Sequence, residues 1–184
     1  MELGELKFAR ATSLIVPEDS TFQFENVALP HAASLLRYAL HLEGETARAE
    51  DLVQDTLLSA WRSFHQFEQG TNCKAWLFKI LKNLYSKRIQ RRSLRPEVSL
   101  EEDEPRFAVP EQISANQQVR EAFARLTSEH QEVLQLAVVE GLGIRETAEV
   151  LQVPQGTIMS RLSRARASLR GVLQARALVR REDL

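Results

Sequence analysis

Two stretches of this chain carry cations and no acid. Between Lys74 and Arg95 the charged side chains are Lys74, Lys79, Lys82, Lys87, Arg88, Arg91, Arg92 and Arg95. Between Arg161 and Arg181 they are all arginines: Arg161, Arg164, Arg166, Arg170, Arg176, Arg180 and Arg181. The carboxylates gather elsewhere, from Glu43 to Asp55 and from Glu97 to Glu111. A formal net charge of −1 therefore hides two basic stripes and two acidic segments. Such stripes suit a polyanion, because each Lys or Arg that neutralises a phosphate releases condensed counterions.

The second stripe is preceded by groups that can read base edges. In IRETAEVLQVPQGTIMSRLSRARASLR, residues Ile144, Thr147, Ala148, Val150 and Leu151 give a short helix one apolar face. Residues 152–154 interrupt it, and Pro154 suits the entry to a new helix because it has no amide to leave unpaired. Ile158, Leu162, Ala165 and Leu169 then recur at helical spacing, with Gln155, Thr157, Ser160, Arg161, Arg164 and Arg166 on the opposite face. This is the layout of a helix-turn-helix, whose second helix enters the major groove N-terminus first. Gln and Arg can contact base edges bidentately, whereas Thr and Ser suit phosphates or single acceptors. A solvated basic face is the ordinary role of an isolated basic helix; here the short preceding helix, the turn and the acid-free arginines favour DNA.

Groups suited to catalysis are missing from the pattern. There is no phosphate-binding glycine loop, and His31, His41, His65 and His130 are too scattered to suggest a triad or a metal site. Cys73 is the single cysteine, which excludes an intramolecular disulfide, and no Cys/His cluster has zinc spacing. No catalytic residue, metal or cofactor is expected, and the chain does not read as an enzyme. No apolar run approaches the ~20 residues of a membrane span, and the N-terminus lacks the pattern of a signal peptide. A cytoplasmic protein with no membrane contact of its own is expected.

The elements that must position these groups are helical. Glycine and proline are scarce and the apolar spacing is helical, so the expected fold is all-α. Two small helical domains are expected, joined by an acidic, proline-containing linker. Residues 1–23 have no clear periodicity and read as a loose arm. Residues 24–95 form the first domain. In it Ala32, Leu35, Leu36, Ala39 and Leu40 make a stripe ending near Gly44, and Thr46 is placed to cap the next helix. That helix carries Ala49, Leu52, Val53, Thr56, Leu57, Ala60, Trp61 and Phe64. The segment HQFEQGTN reads as a loop, with Thr71 or Asn72 capping a third helix from Lys74 to about Arg92. Residues 96–113 hold Pro96, Pro105 and Pro110 with Glu101, Glu102, Asp103 and Glu104, which disfavours both helix and core. Residues 114–184 form the second domain, opening with helices marked by Val119, Ala122, Phe123 and Leu126 and by Val133 to Val138.

The motif IRETAEVLQVPQGTIMSRLSRARASLR resembles region 4 of sigma factors. DLVQDTLLSAWRSF is similar to region 2.2 of that family, and KAWLFKILKNLYSKRIQRR to regions 2.3 and 2.4. With region 3 replaced by a short linker, the chain resembles the extracytoplasmic-function (ECF) group of the sigma-70 family. The resemblance covers about residues 24–95 and 114–175. It implies a factor that binds core RNA polymerase, recognises −10 and −35 promoter elements and nucleates melting. Asp51, Gln54 and Asp55 lie where family members bind the β′ clamp helices, and the β flap is a further implied contact. Trp76, Lys79, Asn83, Lys87 and Arg91 lie on the helix that faces the melted −10 element. Phe67 and Asn72 bound the loop that holds a flipped base, whose extrusion a pocket beside a basic groove can offset. Gln155, Thr157, Ser160, Arg161 and Arg164 would meet the −35 element. Taken singly, Trp61, Trp76 and Phe78 have core packing as their more ordinary role. Promoter DNA, core polymerase and an anti-sigma factor are the partners implied.

Two residues depart from the family pattern. Gln152 stands where glycine is usual in the turn, and Cys73 where proline is common. Two other readings remain open on sequence alone. One is a helix-turn-helix regulator acting without polymerase, usually a dimer on a palindromic site. The other is an interaction protein whose basic faces bind acidic protein.

Overall fold

A computed structural model describes residues 18–94 and 117–182, and among them the regular structure is entirely helical. The linker expectation for 96–113 and most of the arm expected at 1–23 lie outside the described residues. Helix α1, Glu18–Val27, replaces the end of that arm. The reason is Phe24, which is buried edge-on against Trp61 and Phe64, with ring centroids 5.1 and 5.2 Å away. One aromatic anchor thus fixes a helix whose own periodicity is weak.

Helix α2, Ala32–Glu43, stops at Gly44, whose φ of +69° lets its amide return to the Leu40 carbonyl at 2.9 Å. Only glycine takes that left-handed turn without a Cβ penalty. Helix α3, Thr46–Arg62, starts at the expected cap itself, one residue early. Glu45 occupies the N-cap in extended backbone with no side-chain cap bond, and its carboxylate is held by Arg48 at 2.7 Å. Thr46 is therefore the first helical residue and not the cap.

Helix α4, Cys73–Ser93, is capped as the sequence suggests: the Asn72 side chain accepts from the Ala75 amide at 3.3 Å. Leu35, Tyr38 and Leu42 of α2, Leu52 of α3, and Leu77, Phe78 and Leu81 of α4 are completely or almost completely buried. Each such side chain contributes about 1.5–3 kcal/mol by leaving water.

In the C-terminal half, α5 (Gln117–Ala124), α6 (Ser128–Leu134), α7 (Ile144–Leu151) and α8 (Gln155–Glu182) surround Phe123, Val133, Ala148, Ile158, Leu162 and Ala165. Helix α6 continues into a π-helical turn, Gln135–Val139, which throws Glu140 inward. The two halves share one core. Leu136, Leu142 and Val150 pack with the α2–α3–α4 cluster, and α7 lies along α4.

Candidate nucleic-acid interface

The helix-turn-helix forms as its spacing suggests. Ala148, 6 % exposed, sits where α7 meets α8, in the same cluster as Ile158 and Leu162. The turn depends on Gln152, the one non-glycine residue with positive φ among those described (φ 56°, ψ 42°). Its amide bonds the Ala148 carbonyl, so this glutamine takes the left-handed conformation usually assigned to glycine. Its side chain donates to Asn83 Oδ1 at 2.7 Å, a bond to α4 that a glycine could not make. The Gly143 amide is satisfied in turn by Glu146 Oε2 at 2.7 Å, half of a capping box at the start of α7.

Along the first turns of α8, Gln155, Ser160 and Arg164 are exposed and Thr157 is half-buried. Two arginines grouped with them from the sequence behave differently. Arg161 is drawn back to Glu129 of α6 at 2.5 Å, with its side chain only 20 % exposed. Arg166 lines a groove of about 450 Å³ with Ile144, Met159 and Leu162. It follows Leu162 by four residues, so it shares that face of the helix and not the opposite one.

In the N-terminal half, Asp51, Gln54 and Asp55 are all exposed on α3. Asp55 is not free: Arg88 Nη2 of α4 reaches it at 2.5 Å. Arg88 and Arg92 also approach Glu43, whose side chain is 1 % exposed, at 3.6 and 3.3 Å. Four of the expected strand-facing residues converge on a cleft of about 480 Å³: Phe67, Asn72, Trp76 and Lys79. Phe67 and Trp76 have ring centroids 5.2 Å apart, and Phe64 stacks behind Phe67 at 5.8 Å. Trp76 is therefore a cleft residue, while Phe78 is a core residue, buried against Tyr38 at 5.2 Å. Trp61 is half-buried beneath Phe24. Lys87 and Arg91 are exposed further along α4, outside the cleft.

The opposite wall of that cleft is Arg145, Glu146 and Glu149 of α7. Asn72 Nδ2 donates to Glu146 Oε1 at 2.7 Å, and Asn83 accepts from Gln152. Beside the cleft lie charge pairs that link the two halves. The Glu140 side chain has no solvent exposure and takes both Arg37 Nε and Nη2 at 3.1 Å, a bidentate pair. Lys74 Nζ reaches Glu140 Oε2 at 3.1 Å and the Glu140 carbonyl at 2.6 Å, while Gln135 donates to the same carboxylate at 3.3 Å. Glu132 bonds the Tyr38 hydroxyl at 2.9 Å and pairs with Lys82. Arg37, Tyr38, Glu132 and Glu140 carry no signal in the sequence, because only the docking of the halves brings them together.

Burial sets the ionisation of several groups. It pushes the Cys73 thiol up to about 11, which keeps it protonated. Tyr38 is raised well above its ordinary value, first by burial and then by the Glu132 charge. His31 is lowered by burial and by Lys74. Among the described residues no three His, Cys, Asp or Glu side chains are grouped to hold a metal ion. No described helix is long and apolar enough to cross a membrane.

An all-helical pair of domains, the second a helix-turn-helix with an exposed polar and basic face, has the architecture of a DNA-binding transcription protein. Comparison with known proteins narrows this. The model of sigma-70 region 2 matches residues 28–95, and that of sigma-70 region 4 matches residues 116–169. The ECF RNA polymerase sigma factor SigL of Mycobacterium tuberculosis is 33% identical over 156 residues, which cover 82% of this chain and 88% of SigL. EcfG of Rhodopseudomonas palustris is 35% identical over 147 residues, covering 76% and 79% of the two chains. Among solved structures, the sigma factor RpoE in complex with the anti-sigma factor NepR, from Bartonella quintana, matches with a TM-score of 0.66 and 32% identity. That match covers 83% of this chain and 97% of RpoE.

The chain belongs to the sigma-70 family and, within it, to the ECF sigma factors that give RNA polymerase its promoter specificity. Sigma factors of this family are initiation factors without catalysis of their own.

Proposed function

We propose that this sigma factor assigns three tasks to three surfaces. Asp51, Gln54 and Asp55 bind the β′ clamp helices of core polymerase. Phe67, Asn72, Trp76, Lys79, Asn83, Lys87 and Arg91 take the melted −10 strand. Gln155, Thr157, Ser160, Arg161 and Arg164 read the −35 element from the major groove. The working units are residues 24–95, preceded by the first turns of α1, and 114–184, with 96–113 as the linker between them. The groove formed by Ile144, Met159, Leu162 and Arg166 is the place for the β flap, and an anti-sigma factor is a further partner. The protein acts in the cytoplasm, where promoter and polymerase are.

The observation that carries this reading is the cleft wall formed by Phe67 and Trp76. Phe67 and Trp76, inclined at 44° beside Lys79 on a helix continuing into Lys87 and Arg91, supply aromatic faces for an unstacked base and cations for its backbone. A base stacked on those faces offsets part of the unpairing cost that melting imposes. Run-off transcription with core polymerase on genomic fragments tests the assignment. Promoter-specific transcripts are expected with the native protein and are lost when Asp51 and Asp55 are both changed to Ala. Tight duplex binding by the protein alone, with no association with core polymerase, would refute it.

A further inference from the structure

The two halves are docked with acids of one against cations of the other. Four carboxylates of the C-terminal half face α2 and α4: Glu132, Glu140, Glu146 and Glu149. Glu140 is the centre of the contact, fully enclosed and held by Arg37, Lys74 and Gln135. A buried carboxylate is tolerated only when paired, so this group specifies one docking geometry. Around it the contact is apolar, through Leu136, Leu142 and Val150.

The consequence for the −10 surface is direct. Asn72 and Asn83 spend hydrogen bonds on Glu146 and Gln152. Lys79 shares its cleft with Glu68, Glu146 and Glu149, and Arg145 there is paired to Glu149 at 3.1 Å, so a phosphate entering meets more carboxylates than free cations. We propose that the chain latches itself shut: Glu132 and Glu140 clamp α2 and α4, and α7 then closes the strand-binding cleft until a partner separates the halves. The proposal rests on reading α4 as the strand-binding helix. It adds that the free protein is self-inhibited through these ion pairs, without any other chain.

A ligand that binds only the open form has its affinity reduced by the open fraction, so Kd rises as 1/f. A tenfold gain on unlatching therefore requires a native open fraction below about one tenth. The test compares the full-length native chain, Glu132→Gln/Glu140→Gln, and Arg37→Gln. All three altered residues lie outside the proposed DNA contacts, and far-UV circular dichroism checks that helicity is kept. Two readouts are taken at roughly 0.1 M salt, where exposed charges are already screened beyond about 10 Å. One is the radius of gyration from small-angle X-ray scattering. The other is anisotropy of a short fluorescein-labelled single-stranded DNA of mixed sequence.

The native chain should be compact and bind weakly. Both variants should expand, with the double variant binding the strand at least tenfold more tightly. Variants as compact as the native chain, or a native chain already as extended as they are, would overturn the latch. Expansion without tighter binding would overturn its inhibitory role. Lys79→Ala, placed in the expanded double variant, separates this from failure of the underlying reading. If the strand is bound but that change leaves affinity untouched, α4 is not the strand surface, and self-inhibition through it is overturned as well.

Discussion

Replacing Gln152 by glycine opposes two effects of known sign. The backbone at this position is left-handed, which costs an L-residue roughly 1–2 kcal/mol that glycine does not incur. Glycine also gains freedom in the unfolded chain, which takes back about 0.5 kcal/mol. The Gln152–Asn83 bond, exposed and therefore near the low end of its range, is worth about 0.5 kcal/mol. Gln152→Gly should thus stabilise the native chain by about 0.5 kcal/mol. In an Asn83→Ala background, where that bond is already gone, the gain should rise to about 1 kcal/mol. The first corresponds to about 1–2 °C in Tm and the second to about 2–4 °C for a chain of this size. Urea denaturation of the four proteins of the cycle, fitted with a common slope, measures both values. Equal gains in the two backgrounds would mean that the bond to α4 contributes nothing. A loss of stability in both would refute the argument that the turn is strained.

Other expectations follow from burial and charge. Cys73 should resist thiol reagents at pH 7, since a pKa of about 11 leaves roughly one thiolate in ten thousand, against about one in a hundred for an ordinary thiol at 9.0. Cys73 and Tyr38 are acids held neutral by burial, so stability should fall as pH rises above 9, as the unfolded chain loses protons first. A Cys73→Ala variant whose alkaline unfolding profile is unchanged would remove the thiol from that account. Ala148→Leu should cost about 1–3 kcal/mol by overpacking the crossing of α7 and α8, measurable as a lowered Tm. On duplex DNA, Arg164→Ala should reduce the salt dependence of binding by about one counterion. Glu129→Gln should tighten binding about two- to fivefold by freeing Arg161, and unchanged affinity would mean that Arg161 does not reach the duplex.

Much of this protein is determined locally and is therefore legible in its residues. Apolar spacing sets α2, α3, α4, α7 and α8. Gly44 ends α2 and Asn72 caps α4 because those needs arise within a turn of chain. Gln152 stands out because one backbone position needs a left-handed residue, and the glutamine adopts that conformation at a cost in strain. The segregation of cations into two runs likewise belongs to the chain itself, as does the family resemblance of both halves.

What the chain could not announce are properties of contact. Helix α1 exists where Trp61 and Phe64 receive Phe24, and its own sequence lacks a strong stripe. Arg161 and Arg166 sit in a basic run yet turn to Glu129 and to an apolar groove, because their neighbours in space differ from those in sequence. Glu140 is one acid among many until the π-helical turn carries it between Arg37 and Lys74. Spacing along a helix fixes which face a residue occupies. Which partner that face meets, and so whether a charge is solvated, spent on an ion pair or held for DNA, is decided only when the two halves dock.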